Sequence, residues 1–328
     1  NFIRHILSYP DTFVVNIDNL STGSCKENLN GLEENNRYKF IEKCIKTEGF
    51  EEILKEFNID CLVHFAAESH VDRSINNPEG FLQTNIFGTF NLLNASLKFQ
   101  KHKKSFHFHH VSTDEVFGSL SLNCDSFNEN SQYKPNSPYS ASKAASDHLV
   151  RAWQETFKLN TTTSNCSNNY GPYQFPEKLI PLVVVKALSG EKIPIYGDGM
   201  NIRDWLHVKD HCNGIVKVID HGNLGETYNI GGQNEIRNIE IIDKVCEILE
   251  SQAPLNKPSP LTGNKLNIAS YNELKSFVDD RKGHDFRYSV SIEKIKDELN
   301  WRPEIKFDDG ILETIKWYIK NIDWLKNK

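Results

Sequence analysis

The chain has 328 residues, with 38 Lys+Arg against 44 Asp+Glu and a formal net charge of −6. Balanced charge and an aromatic share of 11% exclude a disordered chain, and the lack of a basic run argues against a nucleic-acid surface. No apolar stretch reaches the roughly 18–20 residues that cross a bilayer, and residues 1–10 lack the apolar core of a secretory signal.

Residues Phe2, Ile3, Ile6 and Leu7 have helical spacing, and 12–17 (TFVVNI) reads as a buried strand ending at Asp18. Residues 61–66 (CLVHFA) are another strand, followed by the polar turn Glu68-Ser69-His70. The spacing predicts a helix over 81–97 with Phe81, Ile86, Phe90, Leu93 and Leu97 on one broad face. A strand over 106–111 runs into Ser112-Thr113-Asp114-Glu115, and a helix over 140–157 precedes a strand over 161–165. His107, His109 and His110 read as sheet-face residues, because no carboxylate or cysteine is spaced with them for a metal. Beyond 170, helices are expected over 177–188, 208–219, 239–249, 292–299 and 309–319. Strands are expected over 192–196 and 226–230, the latter closed by Gly231-Gly232. The seven cysteines form no C-x-x-C pair, which suggests free thiols and a reducing, cytoplasmic compartment.

Strands alternating with helices imply right-handed crossovers and a parallel sheet that binds ligands beyond its carboxyl ends. The expected fold is α/β. A Rossmann-type doubly wound sheet occupies 1–170, and a smaller mixed α/β substrate lobe occupies 171–328, with about 204–232 returning to the sheet. Such a fold opens with a strand, a glycine-rich turn and a helix. Asn1 falls inside what reads as that helix, so the chain is expected to be an N-terminal fragment; its rival is a protein that never had the loop. Asp18 suits the two ribose hydroxyls of NAD and would repel a 2′-phosphate, although a strand-terminal Asp also serves as a turn residue.

Tyr139 and Lys143 stand four residues apart at the start of the 140–157 helix, on one face. A lysine beside a phenol lowers its pKa, so Tyr139 can take a hydroxyl proton while hydride leaves to NAD; helix-surface packing is the plain alternative. Asp114 and Glu115 lie at a strand end on the same sheet edge. Oxidation of a sugar C4 to a ketone makes the C5 proton removable, so one carboxylate can act as base there. The other, protonated, can help expel the C6 hydroxyl, provided the two environments split their pKa values. Alone, the pair also fits a solvated loop. Asn168 and Asn169 follow a strand, and Lys178, Arg203 and Arg281, with His284 nearby, offer charge suited to a diphosphate.

Together the segments HFAAESHVDRS, STDEVFG, SPYSASKAASDHLVRAW, NCSNNYGPYQFPEKLIPL, PIYGDG, RDWLHVKDH, GETYNIGG and DDRKGHD resemble the dTDP-glucose 4,6-dehydratase family of extended short-chain dehydrogenases/reductases. The resemblance spans essentially the whole chain, and the Thr-Asp-Glu block points to a dehydratase over an epimerase. It implies Tyr139 as base of the oxidation and Lys143 as its partner and a nicotinamide-ribose contact. Thr113 would hold the sugar near C4, Asp114 would be the acid at C6, and Glu115 the base at C5. It implies NAD contacts from Asp18, Asn19, Leu20, Phe65, Ala66, Ala67, Glu68, Ser69, Thr84, Tyr139, Lys143 and Asn169. The nucleotide sugar, dTDP-glucose, would meet Ser69, Thr113, Asn168, Lys178, Leu179, Pro194, Ile195, Tyr196, Arg203, Asn238, Asp280, Arg281, Lys282, Gly283 and His284. A homodimer through a four-helix bundle, made by the helix after Asn77 and the Tyr139 helix, is also implied.

Three departures stand out. The glycine loop is absent, Cys44-Ile45 replaces the usual Asp-Ile at the adenine so that Ile45 would contact it by backbone only, and Lys282 replaces a proline beside Arg281. The leading expectation is a lyase that oxidises C4, eliminates water across C5–C6 and reduces C6 with one bound NAD. The alternatives are a nucleotide-sugar 4-epimerase, a 4,6-dehydratase acting on another nucleotide sugar, and a truncated, inactive chain.

Overall fold

The computed structural model describes residues 1–21 and 23–326. In chain order the first half holds α1 (Phe2–Ile6), β1 (Val14–Asp18), β2 (Tyr38–Glu42), α2 (Phe50–Glu56), β3 (Cys61–His64), α3 (Val71–Asn76), α4 (Pro78–Phe81), α5 (Thr89–Gln100), β4 (His107–Thr113), α6 (Pro138–Phe157), β5 (Thr161–Cys166) and β6 (Asn168–Tyr170). The second half holds α7 (Leu179–Ser189), β7 (Ile193–Tyr196), β8 (Ile202–His207), α8 (Val208–His221), β9 (Thr227–Ile230), β10 (Glu235–Arg237), α9 (Asn238–Gln252), β11 (Lys275–Val278), α10 (Glu293–Leu299), α11 (Phe307–Lys320) and α12 (Ile322–Lys326).

The first half is organised on two parallel sheets: β1 beside β2, and β3-β4-β5-β9, whose last strand comes from the second half. The fold is the Rossmann-type α/β arrangement, with strand carboxyl ends at Asp18, His64, Thr113 and Cys166. Smaller sheets, β10-β8-β6 and β11-β7, are built from the second half together with β6 of the first. One core joins α7, α9 and α11 through Ile180, Val184, Ile241, Val245, Ile315 and Tyr318. Another packs α2, α5 and α6 on the β3–β4 sheet through Phe50, Leu54, Leu93, Phe99, Phe106 and Phe108. None of the described helices is long and apolar enough to cross a membrane, and the seven cysteines are free.

The 81–97 segment departs from its expected pattern. Residues Leu82–Gly88 form a π-helical stretch between α4 and α5. A wider turn rotates the following residues, so the buried face becomes Phe81, Asn85, Thr89, Leu92, Leu93 and Phe99. Phe90, expected inside, is 43% exposed, and Leu82 and Phe87 are exposed with it. The turn admits Gly88 against Ile45, where a Cβ would overlap the Ile45 side chain. Strands β2, β8, β10 and β11 and helix α2 escape a periodicity reading because each is short and polar residues interrupt it.

The β9–β10 connection passes so close to β8 that a methyl at Gly232 would overlap the Trp205 main-chain carbonyl. Backbone cannot yield as a side chain does. Gly232→Ala is therefore expected to destabilise the fold by about 3 kcal/mol, measured by urea unfolding.

Candidate active site

The site is built at the carboxyl end of β4. Thr113 is its last residue, and Asp114–Phe117 turns at once into a 3₁₀ helix, with the Thr113 hydroxyl accepting from the Glu115 N–H at 3.3 Å. Sharp reversal keeps Asp114 and Glu115 under the neighbouring helix instead of extending them into solvent. That helix, α6, starts where Ser137 and Ser140 satisfy each other's backbone N–H groups and Pro138 occupies the first turn. The expected boundary moves by two residues, so Tyr139 lies inside the first turn and its ring is buried.

The Thr113 hydroxyl sits between Tyr139 and Asp114. It hydrogen-bonds the Tyr139 phenol and lies 3.3 Å from Asp114 Oδ1 as donor. Asp114 is 2% exposed and its Oδ2 has no partner. Burial, then the charges of Glu115 and Asp204, hold its carboxyl well above the usual range. Glu115 is also raised by burial, but Lys178, Arg203 and Arg281 pull it back down. Two adjacent carboxyls thus occupy unlike environments, one kept neutral and one facing cations.

Those cations come from three separate places. Lys178 donates to the Ser69 carbonyl at 3.0 Å. Arg203 on β8 stacks 4.3 Å over Tyr288 and donates to the carbonyls of Ile202, Asp285 and Phe286. Arg281 forms a two-pronged pair with Asp72 of α3 (2.6 and 2.9 Å) and lies over Tyr196. The Asp280–His284 bond of 2.6 Å closes the 280–284 loop, and Gly283, at φ +66°, lies against the Asn136 carbonyl just before α6. Lys282 is exposed.

One expectation is reversed. Lys143 does not lower the Tyr139 pKa; burial, then Glu115, pushes the phenol well above its ordinary value. The physical reason is the reach of the lysine arm. Its Cβ shares a helix face with Tyr139, but its Nζ donates to the Val111 carbonyl (2.9 Å) and meets His110 Nε2 (3.4 Å).

At the carboxyl end of β1, Asp18 Oδ1 accepts from the Leu20 N–H (2.7 Å) and Ser24 hydroxyl, while Leu20 takes a left-handed backbone at φ +52° and Asn19 accepts from Ser21 N–H. Phe65 is exposed against Phe2, and Ala66 packs on the core beneath. Ala67 and Thr84 are half-buried. Ile45 is buried, and its carbonyl already accepts from Asn91 at 2.7 Å. Asn169 bonds His211 and the Ser167 carbonyl, whereas Asn168 Oδ1 is buried without a partner. Ile195 is a buried core residue, and Leu179 is half-buried against the same core. Pro194 and Tyr196 lie on either side of Ile195 on β7, and Asn238 opens α9 with its N–H donating to the Asn201 carbonyl.

Sequence reasoning missed Asn85, Asp72, His110 and Asp147. Asn85 is 1% exposed and clamps Glu68 through both its N–H and its carbonyl (2.8 and 3.0 Å) while donating to Ser142 on α6. A polar residue inside an apolar helical pattern was the available signal. Among the described residues, no cluster of His, Cys, Asp and Glu is arranged to hold a metal.

The family model described as GDP-mannose 4,6 dehydratase matches residues 1–314. A dTDP-glucose 4,6-dehydratase of Neisseria meningitidis is 47% identical over 332 residues, covering 99% of this chain and 91% of the relative. An Escherichia coli protein of the same name is 45% identical, covering 99% and 91%. A crystal structure of dTDP-glucose 4,6-dehydratase from Streptomyces venezuelae with NAD and TYD bound is 39% identical, with TM-score 0.86 and coverage of 98% of this chain and 94% of that one. The Bacillus anthracis enzyme in complex with NAD gives 39% and 0.85, covering 100% and 94%.

A carboxyl whose folded pKa is raised stays neutral, or ionises at a cost, above the pH where the unfolded chain ionises freely. Asp114 therefore takes stability away as pH rises from about 4 toward its folded pKa. Asp114→Asn is expected to raise stability at pH 7 and to change it little at pH 4. Thermal melts at the two pH values check the difference.

Proposed function

The chain belongs to the GDP-mannose 4,6 dehydratase family, and from that premise we propose that it converts dTDP-glucose to dTDP-4-keto-6-deoxyglucose as an NAD-dependent hydro-lyase. The observation that carries this reading is the unequal pair of a buried Asp114 and a half-buried Glu115 beneath the Tyr139 phenol.

The residues present suit NAD. Asp18 ends β1 with its Oδ2 outside the two bonds made by Oδ1, Lys143 and Tyr139 lie in the first turns of α6, and the Glu68 backbone is pinned by Asn85. We assign cofactor binding to 1–170 and nucleotide-sugar binding to 171–328, with β9 completing the parallel sheet. When bound, NAD accepts hydride from C4 and returns it to C6, leaving no net redox change. Tyr139 takes the C4 hydroxyl proton. Glu115 removes the C5 proton once C4 is a ketone, and gives it back to C5 at the end. Asp114 protonates the departing C6 hydroxyl, which leaves as water. Proton balance then leaves one extra proton on Tyr139 and one missing from Asp114 after each turnover. Thr113, bonded to both, offers the short way back.

Lys178, Arg203 and Arg281 are the cations assigned to the diphosphate. Arg281 reaches it by sharing or releasing Asp72. The exposed Leu82, Phe87, Phe90 and Phe157, with Trp153 edge-on to both Phe90 and Phe157, supply an apolar face for pairing two copies through α5 and α6. The free thiols suit a cytoplasmic setting.

The test is full-length protein with NAD and dTDP-glucose, with product read by NMR. Conversion of the C6 hydroxymethyl to a methyl supports the dehydratase; a C4 epimer with C6 intact rejects it. Glu115→Gln is expected to lower turnover by about 10²–10⁴-fold while still accumulating NADH from the first oxidation. Normal turnover by that variant would remove Glu115 from its role. Phe87→Glu is expected to shift the protein from dimer to monomer in sedimentation velocity, and a wild-type monomer would discard the pairing.

A further inference from the structure

Of the three cations assigned to the diphosphate, Lys178 and Arg203 are bonded to main-chain carbonyls and Arg281 to a carboxylate. That carboxylate, Asp72, stands in the first turn of α3 and comes from the other half of the chain, 209 residues away. Its Oδ1 accepts from Arg281 Nε at 2.6 Å and its Oδ2 from Nη2 at 2.9 Å. The guanidinium also lies 5.1 Å over the Tyr196 ring, and the Arg281 main-chain N–H donates to Asp280 Oδ1 at 2.8 Å.

A guanidinium carries two forks of parallel N–H groups, one on the Nε–Nη2 edge and one on the Nη1–Nη2 edge. Asp72 fills the first. Among the described residues, Nη1 has no hydrogen-bond partner, so the second fork stays open. Asp72 is itself held. The Tyr196 hydroxyl donates to its Oδ2 at 3.4 Å, the His70 side chain caps α3 by accepting from the Arg73 N–H, and Arg73 pairs with Glu177, the residue before Lys178. Two consecutive residues of α3 thus anchor both second-half segments that carry Arg281 and Lys178.

We propose that Asp72 is a positioning residue that stays paired with Arg281 when ligand is bound, so that a nucleoside diphosphate is met by the Nη1–Nη2 fork. Two effects oppose each other in this arrangement. The carboxylate repels an incoming phosphate, but its side chain is 30% exposed and water screens that repulsion. Without the carboxylate, the arginine arm loses the partner that fixes its torsions, and binding must supply the ordering. The second effect is the larger here, because the filled fork, the ring face and the main-chain bond leave the arm one orientation in which its free N–H groups form a single open edge.

The role of Asp72 rests on the proposed dTDP-glucose reading, and binding measurements separate the two. Full-length protein saturated with NAD is titrated with dTDP and with thymidine by calorimetry. Wild-type protein that binds dTDP no more tightly than thymidine defeats the diphosphate assignment itself. Given tighter dTDP binding, Asp72→Ala is expected to weaken dTDP about tenfold and to leave thymidine unchanged. Asp72→Asn keeps an oxygen for Arg281 Nε and is expected to lose only about threefold. In an Arg281→Gln background, Asp72→Ala is expected to cost nothing further, since its only route to the ligand is gone. Equal losses for dTDP and thymidine would reduce Asp72 to a structural prop for α3 and overturn the proposal. Unchanged or tighter dTDP binding by Asp72→Ala would overturn it as well, the tighter case marking Asp72 as a competitor that the ligand displaces. A full tenfold loss that persists in the Arg281→Gln background would equally reject it.

Discussion

Two carboxyl groups are carried out of water at the end of a central strand, and much of the surrounding architecture answers that expense. An unpaired ionised carboxylate in an apolar interior is prohibitively unfavourable, so the group either neutralises or finds positive charge. Asp114 takes the first course and Glu115 the second. The difference follows from the 3₁₀ turn after Thr113, which sends consecutive side chains to different neighbours. A straight continuation of β4 would have placed them on opposite faces of the sheet, and a flexible loop would have let both hydrate.

The cations that meet Glu115 tie the two halves of the molecule together. Lys178 is anchored to the Ser69 carbonyl from the first half, and Arg281 to Asp72 of α3. Arg73, beside Asp72, pairs with Glu177, next to Lys178. Charges that a diphosphate would need are thus already held in place, Arg281 by a carboxylate and Lys178 and Arg203 by main-chain carbonyls. An anionic ligand entering there replaces or shares carboxylate partners and does not have to assemble the cations from scattered positions.

Local periodicity made the βαβ half legible, because strands such as CLVHFA and the 140–157 helix carry their burial in contiguous residues. It failed where long-range pairing defines the element: β8 is recognised as a strand through β6 and β10, and its sequence, IRDWLH, mixes charge with bulk. At the site, residue types and spacing brought Thr113, Asp114, Glu115, Tyr139 and Lys143 into view. Asn85 and Asp72 stayed hidden because their partners, Glu68, Ser142 and Arg281, are between 17 and 209 residues away. The π-helical stretch, too, is invisible to a rule that counts 3.6 residues per turn.

Lys143 shows why shared helix face is weaker evidence than it looks. The i, i+4 relation fixes where two Cβ atoms stand, but a four-carbon arm can spend its charge on either side of the strand below. Here it turns toward the Val111 carbonyl, His110 and, beyond them, Asp147. The spacing Tyr139, Lys143, Asp147 puts a phenol, an ammonium and a carboxylate on successive turns of one face. A buried cation between two groups that can both be negative does not have one fixed partner. Burial lowers the Lys143 pKa, and the Asp147 carboxyl is the leading charge that opposes that fall.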